Sequence, residues 1–322
     1  MCEVEVMKEQ WNYLVVLDAC RYDYFSRLYS NYLTGTIHKR LSVGTGTKIW
    51  RNRSFTDYYE DTIYVSANPY INSVVPVKGF NGADHFYKIF DLWADFWDEA
   101  KGTVLPEVVT KEAIKIVKEY PNKKAIIHYI QPHEPYLGID SKKQNLNKTG
   151  LFSEAWARMG ELNKKPLFSD RLMRIIDKVF YQIGIRGYGL LWRVREKLGI
   201  TPAQPMDSVR REFGDEGLRK AYEDNLKTVL PHVKELVEHL SGRIIITADH
   251  GEMLGEDGCY CHWSRATNKQ LREIPWLVID KGPKTEIPPQ SKKMESGTEF
   301  SEMSDAAIKQ KLMERLKDLG YY

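Results

Sequence analysis

Five short runs of apolar and β-branched residues recur along the chain, and each ends at polar residues. The runs cover residues 13–17, 62–66, 125–130, 243–247 and 276–279. Near-continuous apolar runs of this length are typical of strands buried on both faces, as in a parallel sheet. Helical patterns lie between them, with apolar residues at three- and four-residue spacing over 108–120 and 215–240. The pattern predicts an α/β fold: a doubly wound, mostly parallel central sheet with helices on both faces.

The alternation of strands and helices stops between residues 141 and 214. This stretch begins as a polar segment, becomes amphipathic over 170–183, and ends in a proline-containing linker at 201–205. We therefore predict a core formed by residues 1–140 and 215–282, and a helical insertion or cap formed by 141–214. Residues 283–322 are predicted to form a C-terminal linker and helix.

Composition narrows the class of protein. The 322 residues carry a formal net charge of +3, with 42% hydrophobic and 28% charged residues, which excludes disordered and collagen-like chains. No apolar run approaches the length of about 18 residues that a helix needs to span a bilayer. The acidic amino-terminal segment does not resemble a secretory signal. The four cysteines lack the spacing of a zinc site, so we expect reduced thiols and a cytoplasmic protein, with membrane association as an alternative.

The charge is unevenly distributed. Residues 141–200 contain 13 Lys and Arg against 5 Asp and Glu, which makes the insertion basic and leaves the remainder acidic. We considered a solvated, salt-bridged cap, a face of residues 170–198 that contacts an anionic substrate or a membrane surface, and a nucleic-acid surface. The membrane interpretation comes from aromatic residues interleaved with arginines, which are Phe180, Tyr181, Tyr188, Trp192, Arg186, Arg193 and Arg195. Nucleic acid is not favoured, because no binding motif accompanies these residues.

Ligand-type side chains follow three of the predicted strands. Asp18 follows the first run, His133 follows the run at 125–130, and Asp249 and His250 follow the run at 243–247. Because the carboxyl ends of parallel strands meet at one edge of a sheet, these side chains should converge. Carboxylate oxygens and imidazole nitrogens suit Zn²⁺ or Mn²⁺, so the pattern predicts a divalent metal site. Asp18 taken alone is also compatible with a helix cap.

Three motifs carry a family resemblance. Asp18-x-x-Arg21-x-Asp23, Pro132-His-Glu-Pro-Tyr136 and Thr247-Ala-Asp-His-Gly-Glu-Met-Leu-Gly-Glu256 resemble the sulfatase-like branch of the alkaline phosphatase superfamily. The resemblance covers about residues 10–140 and 215–282 and does not include the insertion. It implies a metal-dependent enzyme that hydrolyses or transfers a phosphate or sulfate ester.

The resemblance also implies roles for individual residues. Asp18, Asp249 and His250 would hold one metal ion together with the nucleophile. His133 and His262 would hold a second ion or contact the ester oxygens. The ions would be zinc or manganese, with calcium or magnesium also compatible.

The family's nucleophile begins a helix some tens of residues after the first aspartate. In this chain that region is 42–50, where we expect Thr47 as the nucleophile and Thr45 as the alternative. Arg21, Lys48 and His133 are candidates for binding the substrate anion. Arg21 is equally compatible with a structural pair to Asp23, and Lys48 with a solvated side chain.

The absence of a Cys-x-Pro-Ser-Arg signature favours a threonine nucleophile and a phosphate ester, either a diester or a monoester. A sulfatase and a catalytically degenerate anion-binding protein are the alternatives. The substrate would be an anionic small molecule or a lipid-linked ester, and the sequence indicates no oligomeric state. We expect His128, which lies inside its strand, to point away from the site.

Overall fold

The apolar runs form strands of one central sheet. The computed structural model describes residues 3–144, 189–202, 204–263, 266–282, 291–292, 310 and 312–315. Strands β1 to β7 are Glu3–Val4, Tyr13–Leu17, Thr36–Ser42, Tyr58–Ser66, Phe86–Asp91, Trp97–Asp98 and Thr103–Val104. Strands β8 to β13 are Lys124–Tyr129, Arg243–Thr247, Met253–Leu254, Tyr260–Cys261, Glu273–Asp280 and Ser291–Lys292. Helices α1 to α7 are Tyr22–Leu28, Thr47–Ser54, Leu92–Asp95, Pro106–Glu119, Gly189–Lys197, Pro205–Glu238 and Lys269–Arg272.

The sheet follows the order β1-β3-β12-β9-β2-β8-β4-β13, and β5 also pairs with β4. Strand β2 lies between β8 and β9 and is parallel to both, and β4 is parallel to β8 and β5. This confirms the predicted α/β class with a mostly parallel sheet. Strand β12 runs antiparallel to β9 and β3, because the chain after β9 stays at the same edge of the sheet before it turns back.

Both faces of the central strands are covered. All five residues of β2 are buried, as are 125–129 of β8 and 244–247 of β9. Helix α4 packs against α6, and its first residue is Pro106, a position where proline is well tolerated. The packing explains why these strands read as continuous apolar runs rather than as alternating ones.

Helix α6 starts at Pro205, the last residue of the predicted linker, and not at residue 215. Its helical dihedrals are interrupted at Gly214, where φ is 70°. The amphipathic stretch at 170–183 lies outside the described residues, and the division of the chain into domains stays a prediction. In the C-terminal segment, Leu312 is buried in the core and Arg315 donates to the carbonyl of Ala94 at 3.0 Å.

Within the described part of the chain, no helix is long and apolar enough to cross a membrane. Among the described cysteines, Cys20, Cys259 and Cys261 form no disulfide.

Candidate metal and ester site

The ligand-type residues after three parallel strands do meet at one edge of the sheet. His250 Nε2 lies 3.6 Å from Asp18 Oδ1 and 3.3 Å from Asp249 Oδ2, and all three side chains are fully buried. The backbone N–H of His133 donates to the carbonyl oxygen of Asp18 at 3.3 Å, which ties the loop after β8 to the turn after β2. The convergence predicted from strand ends is therefore present.

Asp249 organises the centre of this group. Its Oδ1 accepts the backbone N–H groups of Ala19 at 3.1 Å and His250 at 2.9 Å. Its Oδ2 accepts the hydroxyl of Thr47 at 2.7 Å. Thr47 is the first residue of α2, and its Oγ1 also lies 3.3 Å from His250 Nε2. One carboxylate thus connects two strand ends and the start of a helix.

The two candidate threonines differ in what their hydroxyls contact. Thr47 is buried, and its hydroxyl lies beside the carboxylate of Asp249 and the ring of His250. The hydroxyl of Thr45 instead donates to the backbone carbonyl of Trp263 at 2.7 Å. Of these two hydroxyls, it is that of Thr47 that lies within hydrogen-bond distance of Asp249 and His250.

The hydrogen bonds of His250 define its tautomer. Its Nδ1 lies 2.7 Å from the carbonyl oxygen of Gly251. A carbonyl only accepts, so Nδ1 carries the proton, and the lone pair of Nε2 faces Asp18, Asp249 and Thr47. A ring held in this way by its second nitrogen is the arrangement typical of a metal-ligating histidine.

His128 belongs to this group, and the expectation that it points away is wrong. Its Nε2 lies 3.5 Å from Asp18 Oδ2, and its Nδ1 lies 2.8 Å from the hydroxyl of Tyr64. The reason is register: His128 pairs with Val16, and Val16 and Asp18 are two residues apart, so the three share one face of the sheet. Ligand atoms of Asp18, His128 and Asp249 all lie within 4.8 Å of one another.

Asn68 was missed by the sequence analysis. It follows β4 and donates from Nδ2 to Asp18 Oδ2 at 2.5 Å, while its Oδ1 accepts the N–H of Tyr70 at 2.8 Å. Because β4 pairs with β8, its carboxyl end reaches the same edge as the other ligands. Only the strand-end position pointed to this residue, since no motif contains it.

A second group of ligand-type atoms adjoins the first. Glu252 lies between two histidines, with its Oε1 at 3.1 Å from His262 Nδ1 and its Oε2 at 3.8 Å from His133 Nε2. His133 Nδ1 lies 2.8 Å from the carbonyl of Glu134. The rings of His250 and His262 are 4.3 Å apart between centroids, so the two groups are contiguous. The ligand atoms of His133, Glu252 and His262 could also hold a metal ion.

The electrostatics of the edge suit a cation. Burial alone would raise the pKa of Asp18, but the contact with His128 and the closeness of the other imidazoles outweigh burial and lower that pKa. Burial raises the pKa of Glu252 to about 7. Burial lowers the pKa of His133 and of His262, which favours the neutral imidazoles that bind metals. Buried carboxylates beside neutral imidazoles are compatible with a divalent ion.

The guanidinium of Arg21 makes its hydrogen bonds to other groups of the protein. Its guanidinium donates to both carboxylate oxygens of Asp23 at 2.9 and 2.7 Å, to Glu256 at 2.6 Å and to the carbonyl of Glu252 at 3.2 Å. The geometry fits the structural pair that the sequence left open, with Glu256 as an additional partner. Lys48 is exposed on α2, directly after Thr47.

Two residues that the sequence analysis placed on an aromatic and basic face are buried. Trp192 is 1% exposed and stacks on the ring of Tyr260 at 5.3 Å, and Arg195 is 7% exposed. They therefore contribute to packing within the protein. Arg193 is exposed, and Phe180, Tyr181, Arg186 and Tyr188 lie outside the described residues.

No protein-family model matches this chain, and no curated protein gives a significant match. Among solved structures, it is similar to the soluble domain of lipooligosaccharide phosphoethanolamine transferase A from Neisseria meningitidis. The TM-score is 0.46 and the identity is 14%, over 83% of this chain and 75% of that one.

The C-terminal periplasmic domain of EcEptC from Escherichia coli, in complex with zinc, gives a TM-score of 0.48 and 11% identity, over 84% and 72% of the two chains. The lipoteichoic acid synthase LtaP from Listeria monocytogenes gives 0.40 and 13%, over 84% and 65%. These proteins are members of the alkaline phosphatase superfamily, the group that the motifs resemble. At these identities and TM-scores the likeness by itself assigns no reaction to this chain.

Proposed function

We propose that this protein is a metal-dependent enzyme that hydrolyses or transfers a phosphate ester, with Thr47 as its nucleophile. The observation that carries the proposal is the position of the Thr47 hydroxyl, 2.7 Å from Asp249 Oδ2 and 3.3 Å from His250 Nε2. A buried hydroxyl at a helix start, surrounded by ligand-type atoms, matches the nucleophile expected from the motifs.

The donor set fits a divalent ion. Asp249 Oδ2 and His250 Nε2 lie beside the Thr47 hydroxyl, and Asp18 Oδ1 lies 3.6 Å from the same nitrogen. These are the oxygen and nitrogen ligands that zinc and manganese prefer. We propose that Asp18, Asp249 and His250 hold one such ion, with His128 as a further ligand or neighbour. When bound, the ion lowers the pKa of the nucleophilic hydroxyl and shields the negative charge of the ester.

The remaining chemistry belongs to the side chains. Thr47 Oγ1 attacks phosphorus, the new oxygen–phosphorus bond forms, and the bond from phosphorus to the leaving alkoxide breaks. Asp249 Oδ2 accepts a hydrogen bond from the Thr47 hydroxyl and is placed to take its proton as the new bond forms. Attack by water or by an acceptor alcohol then releases the phosphoryl group from Thr47, which distinguishes hydrolysis from transfer.

The start of α2 supports this step. An anion bound at Thr47 would lie at the amino-terminal end of this helix, where the N–H groups of the first turn and the positive end of the dipole favour negative charge. We propose that His133 and His262 either contact the ester oxygens or, with Glu252, hold a second ion. Lys48 remains a candidate contact for the ester oxygens from the exposed side of α2.

The substrate class that we propose is an anionic small molecule or a lipid-linked ester. The described part of the basic insertion presents exposed Leu190, Arg193 and Leu198 on and just after α5, which is compatible with contact to an anionic or membrane surface. Cytoplasmic location stays a prediction from cysteine usage.

The test combines metal analysis with turnover. Protein purified without chelator should contain one or two equivalents of zinc or manganese, and should cleave bis(p-nitrophenyl) phosphate or p-nitrophenyl phosphate. Thr47→Ala should lower kcat by about 10³-fold or more, since it removes the nucleophile. Thr45→Ala is the matched control and should stay within about tenfold, because it loses one hydrogen bond to a carbonyl.

Three outcomes would contradict the proposal. Retained turnover in Thr47→Ala would exclude the assigned nucleophile. A clear preference for p-nitrophenyl sulfate would favour the sulfatase alternative. A wild-type protein that binds phosphate without turning over any of these esters would favour the anion-binding alternative.

A further inference from the structure

The turn that follows β2 has an unusual backbone conformation. Ala19, next to Asp18, has a φ of 55°, in the left-handed region that residues other than glycine seldom adopt. The N–H of Ala19 donates to Asp249 Oδ1 at 3.1 Å. The Ala19 peptide therefore links the turn that carries Asp18 to the carboxylate of Asp249.

A tyrosine from helix α6 holds this turn in place. The hydroxyl of Tyr222 donates to the carbonyl of Ala19 at 2.7 Å and accepts the N–H of Arg21 at 2.9 Å. Tyr222 is fully buried, and its ring packs edge-on against Tyr24 at 5.0 Å. A hydroxyl can donate one hydrogen bond and accept others, so both backbone groups are satisfied at once.

The same side of α6 also holds the loop that carries His133. Asn225 lies three residues after Tyr222 and so projects from the same side of the helix. Its Nδ2 donates to the carbonyls of His133 at 3.1 Å and Pro135 at 2.9 Å, and its Oδ1 accepts the N–H of Leu137 at 2.7 Å. One helix thus fixes both the turn that carries Asp18 and the loop that carries His133.

We propose that Tyr222 is a positioning residue for the metal site, acting through the Ala19 peptide to hold Asp18 and Asp249 at the spacing that ion binding requires. The inference rests on the proposed function, because it concerns the residues assigned there as ligands. Without the hydroxyl, the buried carbonyl of Ala19 and N–H of Arg21 lose their partner. Ala19 can then relax out of its left-handed conformation, because the Tyr222 hydroxyl no longer holds the turn. This relaxation would misalign the hydrogen bond from the Ala19 N–H to Asp249 Oδ1.

The test is metal binding by Tyr222→Phe. Partners that orient metal ligands typically contribute about 10- to 100-fold in affinity, so we expect a loss of that size for zinc, measured in competition with a chromogenic chelator. The visible absorption spectrum of the cobalt-loaded protein should also change, because the ligand arrangement changes. Both readouts are independent of turnover.

Tyr129→Phe is the matched control. Tyr129 is also fully buried, and its hydroxyl bonds to Thr110 Oγ1 on α4 at 2.6 Å. The control removes an equivalent buried hydroxyl, and its zinc affinity should stay within about threefold of wild type. Each variant is assayed below the midpoint of its own thermal unfolding, so that the affinity refers to folded protein.

A double-mutant cycle with Ala19→Gly tests the route through the peptide. Glycine adopts the left-handed conformation without strain, so the turn depends less on the Tyr222 hydroxyl in that background. The loss caused by Tyr222→Phe should therefore be at least about threefold smaller in the Ala19→Gly protein. Additive losses would overturn the route through Ala19.

The outcomes separate this inference from the proposed function. If wild type binds zinc and Tyr222→Phe binds it with the same affinity and cobalt spectrum, the positioning role is wrong while the proposed function stands. If wild type binds neither zinc nor cobalt, the proposed metal site and the positioning role both fail.

Discussion

Replacing Asp249 with asparagine separates the proposed metal role of this carboxylate from its structural role. Asparagine has the same shape, and its Oδ1 can accept the N–H groups of Ala19 and His250 as the carboxylate does. In the wild type the Thr47 hydroxyl donates to Asp249 Oδ2. In the variant the asparagine amide group can donate to that hydroxyl instead. The metal-free variant should therefore unfold with a free energy within about 1 kcal/mol of wild type.

The metal-bound state should lose much more. A divalent ion about 4 Å from one negative charge gains about 8 kcal/mol at an effective dielectric constant of about 20. Desolvation of the ion and of the carboxylate offsets a large part of this gain. We expect a net loss of at least about 3 kcal/mol, which is about 100-fold in zinc affinity.

Thermal unfolding with and without zinc measures this difference. At a zinc concentration about 100 times its Kd, the wild-type fold should gain about 2.7 kcal/mol, and a variant with 100-fold weaker binding should gain only about 0.4 kcal/mol. Equal stabilisation of both proteins by zinc would refute the assignment of Asp249 as a ligand. A large loss of stability in the metal-free variant would show that its main role is structural.

Three further substitutions test neighbouring contacts. Arg21→Lys should lower the free energy of unfolding by about 1–3 kcal/mol in urea titrations, because one ammonium group cannot replace the contacts of the guanidinium. KM should stay unchanged, and a raised KM at unchanged stability would instead support a substrate contact. Gly46→Ala places a Cβ 3.1 Å from His262 Cδ2 and should lower kcat by about 3- to 10-fold, and a wild-type kcat would show that this ring can shift freely. Lys48→Met should leave the free energy of unfolding within about 0.5 kcal/mol of wild type and raise KM for an anionic ester. An unchanged KM would show that Lys48 is a solvated side chain without a substrate contact.

The sequence predicted the central strands well because their apolar signal is local. Strands β2 and β9 have the predicted bounds, since all or nearly all of their residues are buried between helices. Strand β3 was missed because its sequence, TIHKRLS, gives no apolar run and only its last residue, Ser42, is buried. Strand β5 lies at the margin of the sheet, beside β4 alone, and is only partly buried. Its signal was equally weak.

The site was predicted where a motif or a strand end marked it. Asp18, Asp249 and His250 were predicted as ligands because they follow buried strands closely: Asp18 comes directly after β2, and the other two come after Thr247 and Ala248. His128 was missed because the face on which a strand residue lies depends on its register with the neighbouring strand, which one sequence does not reveal. Arg21 kept two interpretations because Glu256, its second partner, comes from a loop 235 residues away.

The hydrogen bonds from helix α6 that support the site could not be predicted from the sequence, also because they depend on the folded arrangement. Tyr222 and Asn225 lie within the helix predicted over 215–240, but their hydrogen bonds to the turn at Ala19 and the loop at His133 exist only in the folded chain. Long-range side-chain contacts to irregular backbone leave no periodic signal in the sequence.

The measurement that tests the central claim most directly is the mass of the acid-quenched protein during turnover of a chromogenic phosphodiester or phosphomonoester. The account predicts a phosphate-bearing adduct on the peptide that contains Thr47, absent in Thr47→Ala and retained in Thr45→Ala. Steady turnover with no adduct at any quench time, or an adduct on a different residue, would contradict it.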